Sequence, residues 1–549
     1  MTLRAAAIAA LSLTASVLPS RAAEPTVVAV VAADSYADFK KQVRWAGTLA
    51  DQPALDALVE TPLMMATQFK GLAGLDVSRP LGIVVTAAGD VPAIHAYVPV
   101  KDTGKLLDAL VGVLGPVEEV DGVRRISPPG AMPLDIVEKN GWAIIGPQGS
   151  EPAVADPAAL FDPITSQFTL GIQAFPSRMP AGMREQLKAL VDQAAAAAPA
   201  ADQFDPAALA GALDGLQQTE SMTLGLAIDM DKDRVYVESQ SRMVAGSAAG
   251  VALGDMAKGA ATVATAATAD GKPPAVALHL AAAVPDNLRQ AAIDGLAGMR
   301  AGDDAPANAE TAVALLRAAL ASMIEAGGYD AAIAIDTSVV KENAGTSLPA
   351  VTAGMKVKDG PALEAKIKKL VADAGKLPGL EVELDAGKAA GANLHRLTLS
   401  DAADDPIAVT LAVAPAYCFV LAGGDVPKRL AAVAGASGKP DPNVKPIADV
   451  SVALGPLLRY VAAVGRAQGD APADPEGLEA AATVADAQPS ALVQLIVRPI
   501  ERGMALRLSA DAGAVRTVAA SVKPQRGPAV PGIPATGGPD PIPFPIPIR

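Results

Sequence analysis

The chain has 549 residues, of which 51% are apolar, 19% charged and only 3% aromatic, and its formal net charge is −14. That aliphatic content can bury a large core and excludes general disorder, while a single cysteine excludes an intrachain disulfide framework. The acidic balance is opposite to that of a generic nucleic-acid binder, and few aromatic rings exist to stack on bases, so no nucleic-acid partner is expected.

Residues 1–22 read as a secretory signal peptide, with Arg4 as the positive region, an apolar run from Ala5 to Leu18, and Ser20 and Ala22 as the small residues before a cut. At 1.5 Å per residue that run reaches about 21 Å, short of the roughly 30 Å hydrocarbon core, and Pro19 ends it. The only cysteine is Cys418, so no lipoprotein cysteine stands at the cut. No later apolar run reaches membrane-spanning length. The mature chain is therefore expected to be exported and soluble, periplasmic or extracellular, with no transmembrane segment.

An internal repeat organises the rest of the chain. Residues 92–106 and 349–363 match at one offset through Pro92/Pro349, Ala93/Ala350, Ala96/Ala353, Val100/Val357, Lys101/Lys358, Asp102/Asp359 and Leu106/Leu363. The apolar stripe continues through Leu110/Ile367, Val113/Leu370 and Leu114/Val371 at helical spacing, with Asp102 and Asp359 where an N-cap belongs. Weaker echoes keep the same order: the segments at 25 and 274, the strands at 142 and 417, the strand-to-helix passages at 168 and 450, and the closing hairpins at 224–238 and 492–508. Ile94, Ala96, Val98 and Val100 alternate as a strand should, Asp121-Gly122 punctuates a hairpin, and residues 307–326 carry a helical stripe stopped by Gly327-Gly328.

The expected fold is α+β: two tandem copies of an antiparallel or mixed sheet packed by long Ala/Leu-rich helices. Copy 1 spans 23–245 and copy 2 spans 274–522, joined by an Ala/Gly/Thr-rich connector at 246–273. The proline-rich tail at 523–549 is expected to be extended or disordered.

No constellation of catalytic, cofactor-binding or metal-ligating residues emerges. His95, His279 and His395 each occupy a predicted strand among apolar neighbours, without a second ligand at metal-binding spacing, and read as structural. Asp229, Asp231 and Asp233 alternate, but a calcium loop would need Gly and an acid where Arg234 and Gln240 stand. Ser338 and Lys341 have a Ser-x-x-Lys spacing without its companion motifs, and Gly435–Lys439 is followed by Pro440 where a phosphate loop needs a hydroxyl. Cys418 reads as a buried thiol, Asp102 and Asp286 as helix caps, and Lys366, Lys368 and Lys369 as a solvated helix face. Ile533–Gly537 is similar to a sortase signal but lacks the following membrane span.

The Ala-rich leader, the strand ending in Val100-Lys101-Asp102 before a Leu-rich helix, and the turn Glu138–Trp142 together resemble uncharacterised exported proteins of planctomycete-like bacteria that carry a domain of unknown function. The resemblance implies export and an α+β repeat, and no catalytic residues.

The expected function is that of an exported, non-catalytic binding or scaffold protein, with a carrier of an apolar ligand as one form of it. Two alternatives stand beside it: an envelope component tethered by the tail, and a hydrolase whose residues meet only in the fold. The expected partners are an apolar small molecule or an envelope protein, and no cofactor is expected.

Overall fold

The computed structural model describes residues 25–522 apart from 53, 90, 121, 128–131, 187–188, 190–214, 265–272, 301–308, 338–348, 375–379, 400–405, 440–446 and 469–473. The leader, the tail with Ile533–Gly537, Asp121, and the Ser338–Lys341 spacing lie outside the described residues.

Among the described residues, period-2 alternation yields twenty strands. The first ten are β1 (Thr26–Ala33), β2 (Leu81–Ala88), β3 (Val91–Pro99), β4 (Val117–Val120), β5 (Val123–Ile126), β6 (Leu134–Lys139), β7 (Trp142–Pro147), β8 (Leu170–Ala174), β9 (Thr219–Asp229) and β10 (Arg234–Met243). The second ten are β11 (Val276–Ala283), β12 (Gly328–Asp336), β13 (Ala350–Lys356), β14 (Leu380–Ala389), β15 (Ala392–Leu399), β16 (Ile407–Val413), β17 (Tyr417–Ala422), β18 (Ala448–Ala453), β19 (Leu492–Ile500) and β20 (Gly503–Asp511).

The helices are α1 (Tyr36–Leu49), α2 (Leu55–Ala66), α3 (Thr103–Leu114), α4 (Ala158–Thr165), α5 (Ala248–Met256) and α6 (Asp286–Leu296), followed by α7 (Ala309–Glu325), α8 (Gly360–Ala374), α9 (Val426–Ala436), α10 (Leu454–Gln468), α11 (Pro475–Asp486) and α12 (Ala512–Val522). Asp102 caps α3 by accepting from the Lys105 N–H at 3.0 Å, and Asp359 accepts from the Ala362 N–H at 3.0 Å before α8. Asp286, by contrast, is the first residue of α6 and pairs with Arg289, and Pro285 holds the cap position. Among the described residues no helix is long and apolar enough to cross a membrane.

The expectation of two tandem sheets is corrected by the pairing. Hydrogen-bonded neighbours run β4–β5–β6–β7–β3–β2–β1–β8–β9–β10, and from β10 the sheet continues without a break into β20–β19–β18–β11–β12–β13–β17–β16–β15–β14. It is one twenty-stranded sheet. Every one of those pairings is antiparallel, so the mixed alternative is corrected as well. The reason is local: alternation identifies strands but not which edge meets which, and β10 and β20 satisfy each other's edge groups over nine paired positions from Arg234↔Asp511 to Arg242↔Gly503. The strand order read outwards from this seam is the same on both sides, and the segments matched in the sequence lie at equivalent places, β3 leading into α3 and β13 into α8.

The two outer edges are short or interrupted. β4 has four residues, and β14 carries Glu381, Glu383 and Lys388 with a register shift between Glu383 and Gly387, which blunts pairing with another chain.

Helices divide the two faces unevenly. On one face α4 covers β1 and its neighbours, burying Phe161 and Ile164 against Val30, Val84, Tyr97 and Trp142, and α9 does the same with Leu430 and Val433 against Phe419 and Leu421. On the opposite face α3 packs Leu106 and Leu107 against Val98, Ala143 and Ile145, while α7 and α8 pack Leu315, Leu363 and Ile367 against Met355, Leu411 and Cys418. α3 and α8 stand over the outer strands, and α7 reaches in as far as β12. Between them lie β2, β1, β8, β9, β10, β20, β19, β18, β11 and β12.

Candidate functional site

On these ten strands the second face is an aliphatic floor. The registers place Leu81, Ala33, Leu170, Leu226 and Val237 in one row, each opposite the next. The row crosses the seam at Leu508 and continues through Leu495, Val450, Leu278 and Ile333. Alongside it run Ile83, Val31, Ile172 and Leu224, then Leu506, Val497 and Leu280. At the centre this surface is open: Leu224 is 52% exposed, Leu508 51% and Ile172 47%, and Leu170, Met222, Leu226, Val237 and Leu506 are exposed too. Among the described residues of these strands, Glu220 is the one charged side chain on the floor, and it pairs with Arg502 at 2.7 Å.

Ten strands at about 4.8 Å spacing give a floor about 43 Å wide, and three residues of depth, about 10 Å, make its footprint on the order of 400 Å². Its exposed part is centred on β8, β9, β10 and β20.

At β9, β10 and β20, around the seam, the covered face beneath is polar, an inversion of the usual arrangement. Thr223, Gly225, Glu238, Gln240 and Ser509 are all buried there or pressed against Phe168. Gly225 is required: a Cβ at this position would lie 2.2 Å from the Phe168 ring. Tyr236 donates its hydroxyl to the Gln167 carbonyl at 2.9 Å and stacks under the Arg507 guanidinium at 4.1 Å. Glu238, fully buried, accepts from Gln240 at 2.7 Å and pairs with Arg498 at 3.0 Å and with Arg507. With its polar partners satisfied on one side, the seam turns its aliphatic side chains outward on the other.

A cavity of about 560 Å³ opens where α5 crosses the floor, between Ala249, Ala252 and Leu253 above and Val497, Met504 and Leu506 below, with Ser239 and Ser241 from β10 lining it. α5 belongs to the expected connector, and Ser247 caps it by accepting from the Gly250 N–H at 3.1 Å.

The three histidines are dispersed. His95 is buried on β3 with Nε2 3.1 Å from Ser150 Oγ. Ser150 already donates to the Pro147 carbonyl at 2.7 Å, so the imidazole is the donor and cannot act as a base toward that hydroxyl. His279 lies on β11 opposite Asp449 and Ala332.

His395, on β15, stands in a cluster that the sequence pattern does not reveal: Glu364 from α8, Asp385 from β14 and His395 place ligand atoms within 4.8 Å of one another. Nδ1 of His395 accepts the Asp385 backbone N–H at 3.1 Å, so the proton of the neutral ring sits on Nε2, which faces Glu364 Oε1 at 3.6 Å. Lys368 Nζ lies 2.7 Å from both carboxylates and Asn393 donates to both at 2.6 Å. The Nε2 lone pair that a metal would need is thus taken by a proton, and the ammonium of Lys368 is the cation the carboxylates hold. Lys368, read from the sequence as a solvated face, instead ties α8 to the edge strand. Hydrogen bonding to Lys368 lowers the Asp385 pKa and raises that of Lys368 itself; at Glu364 burial pushes upward, but Lys368 and Asn393 hold it below the ordinary value.

The remaining candidates are structural in their surroundings. Asp229, Asp231 and Asp233 belong to the β9–β10 turn, where Lys232 pairs with Asp229 at 3.0 Å. Gly435 is in α9 and Ser437 accepts from the Ala264 N–H at 3.1 Å, tying the connector to the helix end. Burial pushes the Cys418 thiol up to about 12, far from a reactive thiolate.

Burial also lowers the pKa of His95 and His395 below the ordinary imidazole value. The unfolded chain therefore takes up protons near pH 6.5 that the folded chain refuses, so this contribution is present above about pH 6.5 and is lost as pH falls through that value. The urea midpoint is expected to fall between pH 7.5 and 5.5, and to fall less in a His95→Gln, His395→Gln double variant. A wild-type midpoint that stays constant over this range would contradict the assignment.

No protein-family model, curated protein or solved structure matches the chain.

Proposed function

We propose that this protein is an exported, non-catalytic binding protein whose binding surface is the open aliphatic floor, and that its partner is apolar. The observation that carries this reading is the unbroken row from Leu81 to Ile333 across ten strands, with its centre exposed around the seam. A sheet face normally presents polar side chains when it meets water. Here the aliphatic side faces outward while Glu238, Gln240 and Thr223 are covered, which is an arrangement suited to an occupant on the floor. The leader at residues 1–22 supports a place of action outside the cytoplasm, and the shared strand order about the seam supports an origin of the two halves by duplication.

The test uses an environment-sensitive apolar dye and a Leu170→Thr, Leu226→Thr, Leu508→Thr variant. These side chains are exposed, so the variant should keep its circular dichroism spectrum and unfolding midpoint. Dye binding to the variant is expected to fall at least fivefold. Equal binding by the two folded proteins would remove the floor as the site.

A further inference from the structure

We infer that the floor takes a long-chain acyl lipid, one chain lying in the cavity under α5 with its ester or hydroxyl group at Ser239 and Ser241. This rests on the proposed binding function and specifies its ligand and its position.

The walls decide what can reach the floor. α3 at one end and α7 with α8 at the other stand on the same face as the aliphatic row. A helix is about 10 Å across, and two stacked sheets lie about 10 Å apart. A second copy laid face to face would bring its own α3, α7 and α8 into the space that these helices occupy before the sheets could pack. A flat bilayer meets the walls first for the same reason. A single hydrocarbon chain is thin enough to lie between them.

The chemistry of the lining narrows the class. The cavity of about 560 Å³ is within the usual size range of small-molecule sites. It is walled by Ala252, Leu253, Val497, Met504 and Leu506, with neither a ring to stack on an aromatic ligand nor a charge to hold an ionic one. Unbranched methionine adapts to a flexible chain. The two serine hydroxyls on β10 offer hydrogen bonds to an uncharged polar group. Ser239 is opposite both Leu506 and Leu224, so the cavity opens directly onto the exposed part of the floor. A chain longer than the cavity runs out over that surface without leaving aliphatic contact.

Equilibrium dialysis of radiolabelled monopalmitoylglycerol and of hexadecanol, an uncharged ester and an uncharged alcohol, against the full chain tests the inference. Both are expected to bind, and Ala252→Trp, which fills the cavity, should weaken binding of both at least tenfold. A monoacylglycerol whose chain carries a diazirine locates the chain without any variant: labels are expected within residues 239–256 and 497–506, and labels confined elsewhere would overturn the inference. No binding of either lipid, with dye binding still lowered in the floor variant, would reject the acyl ligand and keep the floor. Loss of the dye effect as well would reject both. A wild-type dimer that the floor variant converts to monomer would assign the floor to a second copy instead.

Discussion

Replacing Glu238 by Ala is expected to lower the unfolding free energy by about 3 kcal/mol. The carboxylate is fully buried on β10 and joins the two halves of the sheet through Arg498 of β19 and Arg507 of β20. Removing it leaves two guanidinium groups facing each other with no counter-charge, and takes away the acceptor of Gln240. Breaking a buried pair in this way costs roughly 3–5 kcal/mol, and the low end applies because Arg498 and Arg507 remain 39% and 26% exposed. Glu238→Met combined with Arg507→Met should recover part of the loss, since an apolar replacement of a buried ion pair is often nearly neutral. Urea unfolding followed by circular dichroism measures both variants. A change below about 1 kcal/mol for Glu238→Ala would show that solvent at the seam compensates the arginines.

Trp142→Ala is expected to cost about 3–5 kcal/mol. The indole is completely buried at the start of β7, edge-on to Tyr97 at 6.4 Å and to Phe161 at 5.8 Å, under the Arg79 guanidinium at 4.1 Å. Its Nε1–H donates to Asp156 at 3.2 Å, which ties the segment before α4 to the sheet. Truncation leaves a cavity between α4 and three strands, and the neighbours are held by their own rings and cannot close it. Trp142→Phe keeps a ring in the site and should cost distinctly less. Thermal unfolding followed by circular dichroism is the suitable readout, because only two tryptophans are present and one is being removed. Equal losses for the two variants would mean that the Asp156 hydrogen bond, and not the packing, carries the stability.

Much of the secondary structure is legible in the sequence because it is local. The stripe of Val313, Leu320, Met323 and Ile324 marks α7, although Leu316 of the same stripe is exposed and Leu315 packs inward, and Asp102 marks the start of α3. What the sequence withholds is the partner of each edge and the side each stripe faces. In β9 the alternation of Met222, Leu224 and Leu226 with Thr223 and Gly225 suggests that the leucines face a core. The structure does the opposite, because Phe168 fills the place above Gly225 and leaves the leucines outside. Glu238 looks like an ordinary surface residue within a polar strand until Arg498 and Arg507 arrive from β19 and β20. The cluster of Glu364, Asp385 and His395 is illegible for the same reason, since a helix, an edge strand and its neighbour each contribute one group.

The seam also sets a timetable for folding. β10 is complete at residue 243, but the strand that covers its outer edge begins only at residue 503. Until β20 is made, a nascent first half carries a bare ladder of donors and acceptors at its centre-to-be, and the second half arrives with a complementary ladder in its last strand. Two chains in synthesis side by side can satisfy each other's ladders by the same registers that one chain uses alone. The joint that makes the sheet continuous is therefore also the point where neighbouring molecules can exchange halves, and dilution or separation during maturation favours the closed single chain.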